Sequence, residues 1–266
     1  MTHAKKLTAL ILSFALILTA FLTVMPAAEA EAASSSYRTV TRTNQCINGY
    51  YLYIDSYDYL RAGKTSSPSA IAPDVSSAVT NGSYVYFTQT SGNYTKFWKR
   101  KLSGGSPVLI KTIKDPLNSS YVGGRCHLQT AYGGYLYFTK NPCTKSHTHD
   151  LLEGAYLYRL KISTGKVSRV SSKKFDQFGA GTGFGKYIVL KGYKSPTTGA
   201  VQGTIYLYNI SSGKIKSIGS GYSLVQTTSK YVYYWRFNEG FSSYNAYLLK
   251  CRYNISTGRT TVVATG

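Results

Sequence analysis

Gly134-Tyr135-Leu136-Tyr137-Phe138-Thr139, followed by Ala155-Tyr156-Leu157-Tyr158-Arg159-Leu160-Lys161-Ile162-Ser163-Thr164-Gly165-Lys166-Val167, is the stretch that decides the fold. Its first part alternates at period two, which places successive side chains on opposite faces of a strand. The second part alternates again and ends in Ser-Thr-Gly-Lys, where the glycine supplies the positive φ of a tight turn. The couplet returns as Gly185 to Leu190 with Ile205 to Ile215, and as Lys230 to Tyr234 with Tyr247 to Arg259. An earlier copy runs from Gly82-Ser83-Tyr84-Val85-Tyr86-Phe87-Thr88 into Phe97 to Leu102. A unit that recurs along a chain fixes the architecture before any single residue is weighed.

Unit starts fall at Gly49, Gly82, Gly133, Gly185 and Ser229, 33 to 52 residues apart, the spacing of propeller blades. Each unit holds about four strands once the segments between couplets, such as Arg125 to Ala131 and Tyr222 to Thr227, are counted. Nothing after the N-terminal segment has the apolar 3.6 period of a long helix. The expected fold is therefore all-β: a β-propeller of five four-stranded blades closed into a ring, with Tyr37 to Thr43 as its first strand. Closure is favoured because each blade needs neighbours on both faces. The pattern of a Tyr-rich strand followed by one ending in Ser-Thr-Gly-Lys resembles the secreted Firmicute propellers of unknown function, which are distantly like the YWTD propellers of lipoprotein receptors. The resemblance covers Tyr37 to Gly266, though the YWTD signature itself is absent.

Residues 1–32 have the form of a secretory signal: Lys5 and Lys6, an apolar stretch from Leu7 to Val24, Pro26, and small residues around Ala30 and Ala32. An uncleaved N-terminal anchor is the alternative. The signal resembles those of Gram-positive bacteria, which implies that the Asn-x-Ser/Thr triplets are plain turn sequences. The domain reading is 1–32 signal peptide and 33–266 a single propeller, secreted or associated with the cell wall, with no membrane contact after cleavage.

The chain carries 31 Lys and Arg against 10 Asp and Glu. Without Lys5, Lys6, Glu29 and Glu31 the balance is 29 against 8, still +21. That exceeds what solubility needs and attracts polyanions in a salt-sensitive way. The expected partner is an anionic cell-wall polymer or polysaccharide, or a protein; no motif specifies nucleic acid. The densest basic run, Lys96-Phe97-Trp98-Lys99-Arg100-Lys101, reads either as a basic edge with a stacking ring or as a strand whose Lys stems cover apolar surface. Trp235-Arg236-Phe237 ends a strand and leads into a loop, and loops at strand ends carry function more often than strand interiors. Lys96, Trp98, Lys99, Arg100, Lys101, Trp235, Arg236 and Phe237 are thus the candidate ligand-binding residues. Most of the 26 Tyr are expected to stabilise sheets as cross-strand aromatic pairs.

Four Cys in an exported chain permit two disulfides. If the ring closes, Cys46 in the first blade meets Cys251 in the last, and Cys126 and Cys143 flank one strand; these are the expected pairs. His147, His149 and Asp150, beside Cys143, resemble a weak metal-ligand set, but a disulfide would consume the thiol. No metal and no cofactor are expected. A catalytic reading would need carboxylates across a central tunnel. Of the eight acids only Asp74 and Asp176 fall near innermost strands. No phosphate loop or nucleophile elbow is present. A non-catalytic envelope binding or scaffold module is the leading expectation, and a carbohydrate-active enzyme using Asp74 and Asp176 is the alternative.

Overall fold

A computed structural model describes residues 37–92, 94–114, 126–140, 154–176, 182–192, 202–238 and 247–265. The signal segment, Cys143, His147, His149 and Asp150 lie outside these residues. Every described element is a strand, 21 in all. Twenty of them form five consecutive antiparallel meanders of four. The first comprises β2 (Gln45–Ile47), β3 (Tyr50–Ile54), β4 (Leu60–Gly63) and β5 (Ala70–Ala72). The second comprises β6 (Val75–Thr80), β7 (Tyr84–Ser91), β8 (Tyr94–Lys101) and β9 (Val108–Lys114). The third comprises β10 (Cys126–Tyr132), β11 (Tyr135–Lys140), β12 (Ala155–Lys161) and β13 (Val167–Phe175). The fourth comprises β14 (Thr182–Phe184), β15 (Tyr187–Lys191), β16 (Gly203–Asn209) and β17 (Lys214–Gly221). The fifth comprises β18 (Ser223–Thr227), β19 (Tyr231–Phe237), β20 (Leu248–Asn254) and β21 (Thr260–Thr265).

The repeat is visible in hydrogen bonds as well as in sequence. In blades two to five the residue opening the turn between third and fourth strands donates to a carbonyl in the turn between first and second strands. These are Leu102 N–H to Ser83 O, Ile162 to Gly134, Ile210 to Lys186, and Ile255 to Lys230, at 2.8 to 3.0 Å. The two short turns of a blade are thereby tied at one end of the molecule. All five pairings of third with fourth strand are interrupted by a register shift, at Leu60/Arg61, Phe97/Trp98, Tyr156/Tyr158, Ile205/Tyr206 and Lys250/Cys251. A bulge increases local twist, which splays the outer strand of a blade. The last strand of the fifth blade is exposed at every residue, and Ser172, Lys173 and Lys174 of β13 and Lys214, Lys216 and Ser217 of β17 likewise face water on outer edges.

Four apolar clusters hold the blades together, one between each successive pair. Leu52, Ile54 and Leu60 pack on Val75 and Phe87. Phe97 of the second blade meets Phe138 of the third, ring centroids 4.9 Å apart. Phe175 and Leu157 of the third pack with Ile188 and Leu190 of the fourth. Ile205 and Leu207 of the fourth pack with Val232, Tyr234, Leu249, Cys251 and Tyr253 of the fifth. Among the described residues no cluster joins the fifth blade to the first.

Two expectations are corrected here. Residues from Tyr37 onward do not begin the first blade. Instead β1 (Arg38–Val40) lies between the innermost strands of blades two and four, antiparallel to both: Arg38 pairs with Thr80 and Phe184, Thr39 with Val79, and Val40 with Ala78. Nine strands thereby run as one continuous sheet across the axis. Thr39 Oγ1 donates to the Gln129 carbonyl of blade three at 3.3 Å, so this short segment touches three blades. Tyr37 and Val40 are buried in different clusters. The other correction concerns Cys46 and Cys251, neither of which is in a disulfide. Cys251 shares a face of β20 with Leu249 and Tyr253, and that face is packed on the fourth blade. Cys46 is exposed. The residues of β20 aimed away from the fourth blade are Lys250 and Arg252, so strand parity commits Cys251 to the interface with that blade. Cys126 is buried, and its pairing with Cys143 falls outside the described residues.

Candidate binding surfaces

The fifth blade has one face in the core and one that no described cluster covers. On the second face β19 presents Tyr231, Tyr233, Trp235 and Phe237, alternate residues and all half-buried. Across the ladder stand Arg252 opposite Tyr233 and Lys250 opposite Trp235. The cations lie over the rings: Arg252 Cζ is 4.9 Å from the Tyr231 centroid, and Lys250 Nζ is 5.9 Å from Tyr233 and 6.0 Å from Trp235. Lys230 caps the row, 5.4 Å from Tyr231. Tyr231 and Tyr233 are 6.2 Å apart, so the rings form a row of flat apolar faces separated by positive charge. Such a row can stack on sugar faces while its cations meet acidic groups.

Of the three residues named from sequence at this strand, Trp235 and Phe237 belong to the row and Arg236 does not, since it points the other way. Arg236 Nη1 donates to the Phe237 carbonyl at 3.4 Å. The end of the row is clamped. Phe237 meets Tyr222 at 5.3 Å, Lys191 donates to the Tyr222 carbonyl at 3.2 Å, and Lys191 pairs with Asp176 at 2.8 Å. Asn238 N–H donates to the Tyr247 carbonyl at 3.0 Å, and Tyr247 N–H returns to Asn238 Oδ1 at 2.9 Å, closing the base of the following loop. Tyr231, Tyr233, Lys250 and Arg252 were not singled out from sequence, although their parity with Trp235 is legible there.

The basic run of β8 is distributed rather than gathered. Phe97 is buried between blades two and three, and Trp98 packs on the cluster between blades one and two. Trp98 Nε1 is buried with no hydrogen-bond partner among the described residues. Lys99 lies 5.3 Å from the Tyr84 ring, Arg100 Nε donates to the Gly105 carbonyl at 2.8 Å, and Lys96 is half-buried on the strand. Only Lys101 is fully exposed. The pose of Lys99 over Tyr84 recurs as Arg159 over Tyr135 and Arg252 over Tyr231, always a third-strand cation on the first aromatic of the second strand. Blades two, three and five thus share one Tyr–cation pair at the same place in the repeat.

Asp74 and Asp176 are not a pair across an open channel. The space between β6 and β14 is taken by β1, Asp74 is exposed in a left-handed turn at φ 52°, and Asp176 is held by Lys191. In the first blade Asp55 is 2.7 Å from Arg61 and accepts the N–H groups of Tyr57 and Tyr59 at 2.9 Å. Desolvation pushes its carboxyl up, but these hydrogen bonds and the guanidinium outweigh that and hold it below the ordinary value. Among the described residues no group of three or more His, Cys, Asp or Glu could hold a metal. No described helix is long and apolar enough to cross a membrane.

The strand topology defines a β-propeller. An oligogalacturonate lyase from Vibrio parahaemolyticus superposes with a TM-score of 0.51 at 10% identity, covering 82% of this chain and 63% of the lyase. TolB from Acinetobacter baumannii gives 0.49 at 15% identity over 88% of this chain, which spans only 54% of TolB. The nidogen/laminin complex gives 0.47 at 12% identity, covering 85% of this chain and 79% of that one. Identities this low show the fold alone. No family model and no curated protein matches the sequence.

Proposed function

We propose that the protein is an exported, non-catalytic binding module of the cell envelope, held near anionic polymer by its charge and contacting polysaccharide through the fifth blade. The observation that carries this reading is the row Tyr231, Tyr233 and Trp235 with Lys250 and Arg252 laid over the rings, on a face no described core cluster covers. Its chemistry suits a sugar polymer bearing acidic groups. Ring faces take up the apolar side of a sugar, and the cations take up its charge. The net charge of +21 adds a long-range, sequence-independent attraction.

Sedimentation with isolated cell walls tests it. Wild-type protein should co-sediment at low ionic strength and be released as salt rises through a few hundred millimolar, because screening shortens the reach of exposed charge from about 10 Å to a few. Trp235→Ala should weaken capture on polysaccharide at every salt concentration by about tenfold, the loss of one stacking contact of about 1–1.5 kcal/mol. Salt-independent binding, or equal binding to walls stripped of anionic polymer, would refute the electrostatic part. An unchanged Trp235→Ala would refute the ring row.

A further inference from the structure

The two ends of the propeller differ in charge in a way that composition hides. One end is built from the short turns within each blade: 48–49, 64–69, 81–83, 102–107, 133–134, 162–166, 185–186, 210–213, 228–230 and 255–259. None of these turns contains an Asp or Glu. The eight carboxylates after residue 36 all fall between second and third strands or between blades. Asp55, Asp58, Asp74 and Asp176 sit at the opposite end of the described strands. Asp115, Asp150, Glu153 and Glu239 fall in sequence segments that start from that same end. Antiparallel meanders make this sorting strict, because every second connection returns to the same end.

The short-turn end carries one exposed cation per blade in or beside the turn between third and fourth strands: Lys64, Lys166 and Arg259 in the turns, Lys101 at the end of β8 and Lys214 at the start of β17. In blades three to five it is the last residue of the repeated Ser-Thr-Gly-Lys type motif. Its position is set by the left-handed glycine before it, φ 67°, 66° and 71° at Gly165, Gly213 and Gly258. Asn209 and Asn254 brace the last two of these turns by accepting backbone N–H groups of the Ser and Thr residues. Arg38 at the axis is exposed too. The large apolar residues that open these turns, Leu102, Ile162, Ile210 and Ile255, pack inward on the core clusters, so the tips offer Ser, Thr and Gly and nothing to insert in a bilayer.

We infer that this end is a second docking surface, for a phosphodiester polymer, and that the carboxylate-bearing loop end faces away from it; this rests on the envelope-polymer reading above and adds, beside the fifth-blade row, a second face and its anion. Four of the five turn cations are Lys. A Lys ammonium is a point charge that binds phosphate oxygens without demanding one approach geometry, which suits a polymer whose phosphates recur along a flexible chain. The neighbouring Ser and Thr hydroxyls supply further donors to phosphate oxygens. A flexible chain can visit successive turn tips, each with its cation.

The experiment compares two charge-removal variants for binding to immobilised poly(glycerol phosphate) across salt concentrations. One variant replaces Lys101, Lys166, Lys214 and Arg259 with Gln; the other replaces Lys111, Lys114, Lys173 and Lys174, exposed residues of outer strands. Both lose the same formal charge, and thermal melts establish that both fold. The first should bind on the order of 100-fold more weakly at 0.1 M salt, with the slope of log K against log salt reduced by about 3, as for four lost phosphate contacts. The second should change only a few-fold. Equal losses in both would overturn the face while leaving the envelope reading intact. No binding by wild type at low salt would overturn both. A loss by the first variant seen only on polygalacturonate, or only on phosphatidylglycerol vesicles, would replace the phosphodiester polymer by a carboxylate polymer or a bilayer.

Discussion

Replacing Gly183 by Ala tests the closeness of the strands at the axis. Gly183 lies in β14, beside the innermost strand of blade three. A Cβ there would stand 2.5 Å from the Gln129 carbonyl oxygen and 2.5 Å from Thr130 Cβ. Ordinary contact begins near 3.4 Å, so one strand must retreat by about 0.9 Å. Neither atom belongs to the free end of a side chain. Gln129 is buried, its side chain donates to the His127 carbonyl and to Thr139 Oγ1, and the next residue of β14, Phe184, is paired to β1. Overpacking against well-packed structure costs about 1–3 kcal/mol, occasionally more, and backbone on one side of the clash argues for the upper end, about 3 kcal/mol. For a domain of this size that lowers Tm by roughly 6–12 °C. Differential scanning calorimetry measures it, with Gly185→Ala as control. Gly185 has φ 53° and nothing within 4 Å of its Cβ, so it should cost only the strain of a left-handed Ala, about 1 kcal/mol. If Gly183→Ala melts within a degree or two of wild type, the close axial approach of blades three and four is wrong.

The other predictions concern the N-terminal strand, the tyrosines and the cysteines. Tyr37→Ala removes a ring that is 2% exposed and packs 6.1 Å from Tyr86; it should destabilise by about 3–5 kcal/mol in chemical denaturation, whereas a dispensable leader residue would change nothing. Burial pushes the Tyr137 hydroxyl up to about 12, with Tyr208 adding to the rise and Arg159 opposing it. Burial also raises Tyr158, Tyr208 and Tyr234. Their folded values exceed the unfolded one, so the stability they contribute is complete below pH 10 and is lost as pH climbs toward 12. Denaturant midpoints should fall over that window, less steeply in Tyr137→Phe; a flat profile would contradict the burial. Finally, Cys46 should react with a maleimide in the native protein while Cys251 reacts only after unfolding, as peptide mapping will show. A Cys46–Cys251 linkage under non-reducing conditions would refute the parity argument.

Blades were legible because their signals are local: alternation at period two, a turn glycine, and a repeat that multiplies both. The place of β1 was not. Residues 37 to 40 alternate like any first strand, and only contacts with Thr80, Phe184 and Gln129, far away in sequence, put them on the axis. Trp98 and Trp235 illustrate the limit for the site. Each stands in an alternating strand beside cations, yet one packs between the first two blades and the other lies on the uncovered face of the last. The difference is set by neighbours rather than by the local pattern. Cys251 was readable, since it shares parity with Leu249 and Tyr253 and alternates with Lys250 and Arg252. The charge polarity of the two ends was also latent in the sequence. It emerges once strand ends are known, because sorting carboxylates by connection requires the connections.

Trp235 offers a direct reporter for the proposed contact, since the chain has only two Trp and Trp98 is packed between blades. In a Trp98→Phe protein the emission comes from Trp235 alone. Titration with soluble anionic wall polysaccharide at 50 and 500 mM salt should shift and quench that emission saturably, with affinity at least tenfold weaker at the higher salt. Polymer that binds, as judged by sedimentation, while Trp235 emission stays unchanged would contradict the assignment of the fifth-blade row as the recognition surface.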